Sequence, residues 1–557
     1  MADLQADDIA AQIIARYERA SNDRGVWESH WEEIAQRVLP SYSGSFTGRE
    51  LQTQGSKRTQ EMFDATAAMA LTRFAAAMES MLTPRGSRWH RLIPTDKTLM
   101  RNRAVRMWFD DVTDILFQYR YAPRANYASN QHEVYMGLGA FGTGAMYIDK
   151  LMMPGEKGLR YRAIHLGEIV FLENHQGIID TAMRKYELTA RQAYQQFGDS
   201  LPSDILEKAK ESRSSEQKFW FINCVQPRTD EMGYDPGRRD VKGMRYAAHT
   251  VSITGKKEVR EAGFHVFPYP ISRYVVAPGE TYGRSPAMLV LPAIKVLNEE
   301  KKTVLKQGHR AIDPVLLAHD DGVLDGFSLK PGSVNAGGVS ADGRPLVHAL
   351  PVGNLSLAKE MMEAERAAIN DAFLVTLFQI LVETPQMTAT EVLERAREKG
   401  ALLSPTMGRQ QSEFLGPTVE RELDVLAQQN LLPPMPLMLQ QARGEYQTIY
   451  DSPLSRSQRA EEAAGLMRLV GWAQEVVAVT QDPSIMDNFD FDSAMPELAD
   501  IQAVPSRWMR DDADKAAIRD ARAKQAQAKQ LTEAAPSLAA VAKALPSSRI
   551  NVSQPAA

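Results

Sequence analysis

The chain has 557 residues, more than one ordinary hydrophobic core holds, so several packing units are expected. Its apolar fraction of 44% and charged fraction of 24% are those of a folded soluble protein, and its net charge of −5 excludes a broadly basic surface for tight nucleic-acid binding. The single cysteine, Cys224, excludes an intrachain disulfide and a cysteine-rich zinc site.

The N-terminal part is predicted to begin with helices and then to change to strands. Apolar residues at helical spacing over 5–39 predict helices that stop at Pro40, and an Ala-rich helix follows that ends at Pro84. A further helix is expected at about 100–120. Between 144 and 280, short alternating runs such as "AMYIDK" and "FWFINCVQP" are typical of strands.

Two long helices are predicted on either side of a small β-containing segment. The first covers 285–311, with Ser285 as N-cap and Pro286 as first helical residue, and would be ~40 Å long. The second covers 355–381, and the segment between them is rich in Gly, Asp and Pro. The remaining predicted elements are a helical region over 389–431 broken at Pro405 and Pro417, helices over 453–530, and a loosely ordered tail after Pro536.

Two glycine-rich motifs have the spacing of nucleotide-binding loops but not their context. In "GLGAFG", residues 137–142, the expected helix precedes the motif and the expected strand follows it. That order is the reverse of the one that places a pyrophosphate at a helix N-terminus, so a tight helix-to-strand turn is the preferred interpretation. In "GVSADGRP", residues 338–345, Arg344 and Pro345 stand where a phosphate loop has lysine and Ser/Thr.

The sequence predicts no catalytic residue, no cofactor and no metal ion. It contains neither GxSxG nor HExxH, and none of its 10 histidines pairs at i, i+4. "HDDG", residues 319–322, lacks the carboxylate spacing of a metal loop, so a solvated turn is favoured. Basic residues around Trp89 suggest a nucleic-acid contact, but a core tryptophan flanked by surface arginines is the favoured interpretation.

Five segments spread along the chain share their order with one known family. They are "RYERASNDRGVWESHWEEIAQRVLP", "LTPRGSRWHRL", "GETYGRSPAMLVLPAIKVLNE", "LFQILVETPQMTATEVLERAREK" and "EFLGPTVERELDVL". Together with the helix–β–helix insert between the third and fourth segments, they resemble the head-to-tail connector, or portal protein, family of short-tailed double-stranded DNA bacteriophages. The similarity extends from about Tyr17 to Pro436 and is weak after about residue 450.

The resemblance implies an α+β, predominantly helical portal fold, assembled as a ring of twelve subunits at one capsid vertex. The implied parts are the wing (1–284), the first stem helix (285–311), the clip (312–354), the second stem helix (355–381), the tunnel loop (382–388), a kinked wing helix and return (389–452), the crown helices (453–530) and a flexible C-terminal tail (531–557).

The implied function is a conduit for genome packaging, retention and ejection. Its implied partners are further copies of the chain, double-stranded DNA passing non-specifically, the terminase large subunit, a tail adaptor protein, and the major capsid and scaffolding proteins. The chain lacks an ATP site, so a separate terminase would supply the work. The implied location is the capsid portal vertex of the virion, after synthesis in the host cytoplasm, with no membrane involved.

Two groups of site residues accompany this hypothesis. Thr388 and Glu391 have the spacing of a capping box, so the next helix is predicted to start near Ala389, after a loop that projects into the lumen. A charged stripe on the first stem helix either faces solvent outside the stem or partly reaches the lumen, and both alternatives stay open. The loop residues are Val382, Glu383, Thr384, Pro385, Gln386 and Met387, and the stripe contains Lys295, Lys302 and Lys306 beside Glu299.

Two alternative functions also stay open. The first is a packaging-associated enzyme, against which the missing nucleotide-binding motif argues. The second is a peripheral membrane protein that uses the apolar stretch 373–382. This stretch is too short to span a bilayer core, which requires about 20 residues. The acidic N-terminus has no apolar signal-peptide region, so a reducing, aqueous compartment is expected.

Overall fold

The computed structural model has an α+β fold that is predominantly helical, with 53% helix and 18% strand, as the sequence predicts. The chain divides into two compact units: unit 1 is Met1–His90, Asp114–Leu432 and Tyr450–Gln458, and unit 2 is Arg91–Thr113, Pro433–Ile449 and Arg459–Ala557. The structure describes residues 2–47, 55–152, 155–211, 213–318, 328–351, 355–376, 406–442, 444–451, 453–501, 508–510 and 514–529.

Five helices form most of the first 141 residues, and they confirm the predicted N-terminal helices. An Ala-rich helix buries Leu71, Phe74 and Met78 at positions spaced by three or four residues, as an amphipathic helix requires. The second helix ends at Val38, just before Pro40. The five are α1 (Ala2–Asp23), α2 (Gly25–Val38), α3 (Thr66–Leu82), α4 (Arg103–Arg120) and α5 (Tyr127–Phe141).

The strand-rich region forms two antiparallel sheets in unit 1. A three-stranded sheet has the order β3-β2-β9, and a five-stranded sheet has the order β4-β5-β6-β7-β8. A further strand, β1 (His90–Pro94), pairs separately with β12 (Tyr446–Tyr450). The strands of the two sheets are β2 (Thr143–Lys150), β3 (Leu159–Ile164), β4 (Ile169–Glu173), β5 (Ile179–Thr189), β6 (Lys218–Pro227), β7 (Tyr246–Ser252), β8 (Lys257–Phe264) and β9 (Ile271–Arg273).

Helices cover the five-stranded sheet and complete its hydrophobic core. Ile13 and Tyr17 of α1 pack against Val170, Met183 and Ile222 of three neighbouring strands. Two short helices, α6 (Ala190–Phe197) and α7 (Ser203–Lys210), are inserted between β5 and β6 and form a second cluster with that sheet. Phe221 and Ile222 are adjacent on β6 but belong to different clusters, so the two clusters lie on opposite faces of the sheet, and helices cover both faces.

The first predicted stem helix is divided in two. The single helix predicted over 285–311 is observed as α8 (Pro286–Leu289) and α9 (Leu291–Ile312). Pro292 explains the division, because it has no N–H for the preceding turn and its ring clashes with the carbonyl four residues earlier. The prediction is therefore corrected at its first turn, and the remaining helix, α9, has 22 residues and is about 33 Å long instead of ~40 Å.

The second predicted stem helix is interrupted before its expected end. The sequence predicts it over 355–381, whereas α10 covers Leu355–Ala372. Leu374 then has a left-handed backbone with φ of 58°, a conformation that ends regular helices. Phe373 is buried and packs edge to face on Phe74 of α3, with ring centroids 6.3 Å apart. Burial of this phenylalanine on α3 fixes the position of the interruption.

The remaining described elements follow the predicted helical regions. The predicted break at Pro417 is not observed, because a π-helical turn, Gln410–Leu415, leads directly into the helix Gly416–Gln428 and the chain stays helical through the proline. A π-helical turn replaces the i→i−4 hydrogen bonds with longer-range ones, which accommodates a proline that lacks a backbone N–H. The predicted tail after residue 530 lies outside the described residues. The elements are β10 (Leu316–Ala318), β11 (Val347–Ala349), α11 (Gly416–Gln428), α12 (Leu437–Gln441), α13 (Pro453–Thr480), α14 (Phe491–Ile501) and a helix over 514–529.

Candidate stem anchor and clip

The first stem helix begins where two stretches of backbone approach closely. Gly142 ends α5 with φ of 74°, and a Cβ on it would lie 2.1 Å from the carbonyl oxygen of Gly283. A Cβ on Gly283 would lie 2.2 Å from the carbonyl oxygen of Gly142. The Gly283 N–H donates to the Thr143 hydroxyl at 2.8 Å. Both glycines are therefore required by packing, and the predicted helix-to-strand turn at "GLGAFG" is confirmed.

Ser285 caps the helix that follows this close approach. Its hydroxyl oxygen accepts from the N–H of Met288 at 3.0 Å, and the hydroxyl donates to the Ala140 carbonyl at 2.8 Å. Pro286 occupies the first helical position, where its missing N–H has no intrahelical partner to lose. The predicted cap is confirmed, and the same side chain also joins the helix start to the end of α5.

A buried asparagine connects the first stem helix to the segment before α3. The side-chain oxygen of Asn298 accepts from the N–H groups of Phe63 at 2.7 Å and Asp64 at 3.0 Å. Its side-chain nitrogen donates to the Ile294 carbonyl at 2.8 Å. Asn298 is only 4% exposed. A buried amide with these partners holds α9 at one rotation and height, because losing any of them would leave a polar group unsatisfied.

Asp64 extends this connection to the second stem helix. One of its carboxylate oxygens accepts from Arg366 of α10 at 2.7 Å, and the other accepts from the N–H of Thr66 at 2.9 Å. Burial, the largest single influence, raises the pKa of Asp64, but the hydrogen bonds from Thr66 and Arg366 together hold its pKa below the ordinary value. Asp64, Asn298 and Arg366 thus join α3, α9 and α10, and we call these three residues the stem anchor.

Beyond the stem anchor, the apolar face of α9 is only partly covered by residues that the structure describes. Ile294 and Leu297 are each 1% exposed, as the predicted face requires. Leu305 is 47% exposed and Ile312 is 86% exposed, and no described residue of α9 after Asn298 is buried.

The three lysines of the predicted stripe have different surroundings. Lys295 forms an ion pair with Glu33 of α2. The ammonium of Lys302 lies 3.4 Å from Glu299 and 5.4 Å from the ring centre of Phe63. Lys306 is exposed. Within one chain, the first lysine is thus directed towards α2, while the last is presented to solvent.

A second polar cluster lies deep in unit 1. The Arg120 guanidinium donates to Glu422 at 2.9 Å, and both side chains are fully buried. Tyr161 also donates to Glu422, at 2.6 Å, and Arg120 lies 4.6 Å from the ring centre of Trp89. Burial alone would lower the pKa of Arg120, but attraction and hydrogen bonding by Glu422 raise it above its ordinary value. We call these four residues the ion-pair core.

The ion-pair core shows whether Trp89, in its basic segment, is a packing residue or a nucleic-acid contact. The tryptophan is completely buried, so the predicted packing role is confirmed. Sequence reasoning missed Arg120 and Glu422, which are 302 positions apart. Neither residue type has a motif that signals a buried partner, and only the packing of α4 against α11 brings them together.

The segment predicted as the clip, 312–354, contains a short antiparallel pair, β10 with β11, in which Leu317 lies opposite His348. No described residue between 313 and 351 is buried, and Val334 is 95% exposed. The rejected phosphate-loop motif forms a turn in which the Ser340 N–H donates to the Arg344 carbonyl at 2.8 Å. The described part of the clip therefore has no core of its own.

Some predicted sites lie outside the described residues. These are the tunnel-loop residues 382–387, the capping box at Thr388 and Glu391, and "HDDG" at 319–322. Among the side chains that are described, no group of three or more His, Cys, Asp or Glu could hold a metal ion. The apolar residues Phe373 and Val375 are buried within unit 1. In the described ranges, no helix has the length and apolarity needed to span a bilayer.

Comparison with known proteins gives matches over almost the whole chain. Residues 10–509 match the family model described as bacteriophage head to tail connecting protein. A "Probable portal protein" from Bordetella phage BPP-1 is 28% identical over 525 residues, covering 93% of this chain and 92% of the relative. A "Portal protein" from Salmonella phage epsilon15 is 26% identical over 553 residues, covering 98% and 96%.

A comparison of folds adds little to these matches. A chain from the solved structure titled "Virion of native gene transfer agent (GTA) particle" is 12% identical and covers 73% of this chain and 85% of its own length. Its TM-score of 0.31 is too low to carry an argument.

Proposed function

The chain belongs to the family of bacteriophage head to tail connecting proteins, and from this premise we propose that it is a portal protein whose copies form a ring around a DNA conduit. The observation that carries the proposal is that two relatives named as portal proteins align with more than nine-tenths of the chain. The helix pair fixed by the stem anchor, with an exposed clip between its two helices, supports this proposal.

The exposed apolar residues support assembly with neighbouring copies. Leu305 and Ile312 would be removed from water if the stem helices of adjacent subunits packed side by side. Contacts between unlike faces of identical chains close into a ring when the rotation per subunit divides a full turn. A ring of twelve is the specific number proposed here, with residues 453–530 as crown helices and 531–557 as the tail.

The proposed conduit must guide DNA without holding it. Duplex DNA carries one charge per ~1.7 Å, so a stem of ~40 Å faces about two dozen phosphates. A uniformly basic lining, repeated in every subunit, would bind such a polyanion too tightly for sliding. The net charge of −5 suits passage. In this role the tunnel loop 382–388 contacts the moving DNA, and Lys295, Lys302 and Lys306 are its candidate contacts in the stem.

The proposal includes a set of partners but no catalysis. A terminase large subunit supplies the work of packaging and docks on the clip, which a tail adaptor protein later occupies. The major capsid and scaffolding proteins surround the ring at one vertex of the virion. Synthesis takes place in the host cytoplasm. The clip supports this assignment, because none of its described residues is buried and its exposed surface is available for docking.

Electron microscopy of the purified chain tests the proposal. Rings with a central hole are expected, and compact monomers would contradict the assignment. Leu305→Asp on the stem should reduce the fraction of rings strongly, because it places a charge in the proposed contact between subunits. Thr303→Asp is the matched control, since it adds the same charge to an exposed position of the same helical turn and should leave the rings intact.

Two further measurements address the alternative functions. ATP hydrolysis by the purified chain at the rate of a packaging motor would favour an enzyme. Flotation with liposomes would favour a peripheral membrane protein. A deletion of Glu383–Gln386 tests the tunnel loop separately, with intact rings and impaired packaging or genome retention expected.

A further inference from the structure

The last described helix has a composition unlike the rest of the chain. Its sequence over 514–529 is "DKAAIRDARAKQAQAK", with five Lys or Arg and two Asp, a net charge of +3 in a chain whose total is −5. The segment consists mainly of Ala, Lys, Arg and Gln, which are strong helix formers. After Asp520 it contains three basic residues and no acidic residue.

The first half of this helix is attached to its surroundings and the second half is not covered. Arg519 donates to the Asp492 carboxylate of α14 at 2.7 and 2.6 Å. Asp514 accepts from Arg103 at 3.4 Å. All residues from 519 to 529 are exposed. The attachment orients the helix, and Arg522, Lys524 and Lys529 then extend from its uncovered half.

The side chains in the second half of this helix indicate which class of molecule it can bind. No large apolar residue follows Ile518 in this helix, so its second half has no face that could enter a lipid interface or an apolar groove. Arg522 and Lys529 are seven residues apart and share one face over ~10 Å. Along a DNA duplex, this length corresponds to about six phosphate charges. The helix fits a polyanion with closely spaced charges.

We propose that residues 520–529 bind the phosphate backbone of double-stranded DNA without sequence preference, through Arg522 and Lys529. The identity of the polyanion rests on the proposed portal function, which brings duplex DNA to this protein. The contact is an addition to the channel contacts of the stem, because it lies in unit 2 and uses a separate element. Each of its basic residues releases counterions when it meets a phosphate.

The salt dependence of DNA binding tests this inference. The double variant Arg522→Gln and Lys529→Gln retains good helix formers at both positions. Binding of the full chain to a labelled 30-base-pair duplex is measured by fluorescence anisotropy over a salt series. Because the variant cannot neutralise two of the phosphates, its slope of log K against log salt should be shallower by about 1.8. Between 50 and 200 mM salt, the affinity of the wild type should then fall about 12-fold more than that of the variant.

A second double variant controls for net charge. Lys257→Gln and Arg260→Gln removes the same two charges from exposed positions of unit 1 and should keep the wild-type slope. Equal slopes for wild type and the first variant would overturn the inference, as would an equal reduction by the control. Loss of binding to anionic vesicles, with the DNA slope unchanged, would also overturn it in favour of a membrane contact.

Images of the same preparations separate this inference from the proposed function. Rings with an unchanged DNA slope would overturn the helix contact and leave the portal function standing. Absence of rings in every preparation, including the wild type, would contradict the portal function, while the comparison of slopes would still measure the phosphate contact of the helix.

Discussion

The ion-pair core and the clip belong to the same compact unit, but they are stabilised in different ways. In the ion-pair core, Arg120 and Glu422 are fully buried and form an ion pair, and the Arg120 guanidinium lies close to the rings of Trp89 and Tyr127. In the described part of the clip, two strands of three residues pair and nothing is buried. A two-stranded hairpin alone is marginally stable in water. The comparison teaches that the ion-pair core is completed by residues of one chain, whereas the described part of the predicted clip has no core of its own.

The predicted stem is intermediate between the ion-pair core and the predicted clip in how much of it is buried. Its beginning is fixed by Ser285 and by the stem anchor, and the later turns of α9 have no buried residue among those described. In the proposed ring, the fixed part would set the direction of the helix, and the exposed part would be available for neighbouring subunits.

The largest effect is expected from breaking the ion-pair core. Glu422→Ala leaves the Arg120 guanidinium buried without its partner, which should lower the free energy of unfolding by about 3–5 kcal/mol. The double variant Arg120→Met, Glu422→Leu should cost less than the sum of the single changes, because no charge remains buried. Urea unfolding measures both. The clip variant Arg344→Ala is the control and should stay within about 0.5 kcal/mol of wild type.

A smaller effect is expected from two glycines that differ only in their surroundings. Gly142 and Gly343 have φ of 74° and 77°, but only at Gly142 would a Cβ meet another atom within 4 Å. Gly343→Ala should cost about 1 kcal/mol for its left-handed backbone. Gly142→Ala adds the clash with Gly283 and should cost about 2–4 kcal/mol. Thermal unfolding compares them, and equal losses would contradict the proposed close approach.

The stem anchor should respond to acid. Because the pKa of folded Asp64 lies below its ordinary value of about 3.9, its contribution is full above that pH and is lost as the pH falls through the folded pKa. Asp64→Asn should lower stability by about 1–3 kcal/mol near neutral pH and show a weaker decline in acid. Hydrogen exchange of the α9 and α10 amides measures this. Identical acid profiles for both proteins would exclude Asp64 as the titrating group.

The smallest effect is expected from the charged stripe. If Lys295→Gln, Lys302→Gln and Lys306→Gln remove channel contacts, filled heads should retain their genome differently from wild type at low salt and equally at high salt. Lys295→Gln alone should change little, because its ammonium is already paired with Glu33. Equal retention at every salt concentration, with normal rings, would place the stripe outside the channel.

Much of the local structure could be predicted from the sequence because it depends on neighbouring residues. The ends of α2 and α3, the cap at Ser285 and the helix-to-strand order at "GLGAFG" follow from prolines, glycines and apolar spacing within a few positions. The division at Pro292 follows from the same rules, but the apolar periodicity is continuous across it and predicts a single helix instead.

The sequence by itself determined the α+β composition, most helix boundaries and the resemblance to one family, because backbone sterics and apolar periodicity act over short distances. Only the tertiary structure decided which distant polar residues meet. Arg120 hydrogen-bonds to Glu422, and Arg366 hydrogen-bonds to Asp64; in both pairs the partners are 302 positions apart. No local pattern encodes such a pair, because each partner becomes buried only when separate helices pack together. The same packing requires glycine at both 142 and 283, where side chains would collide.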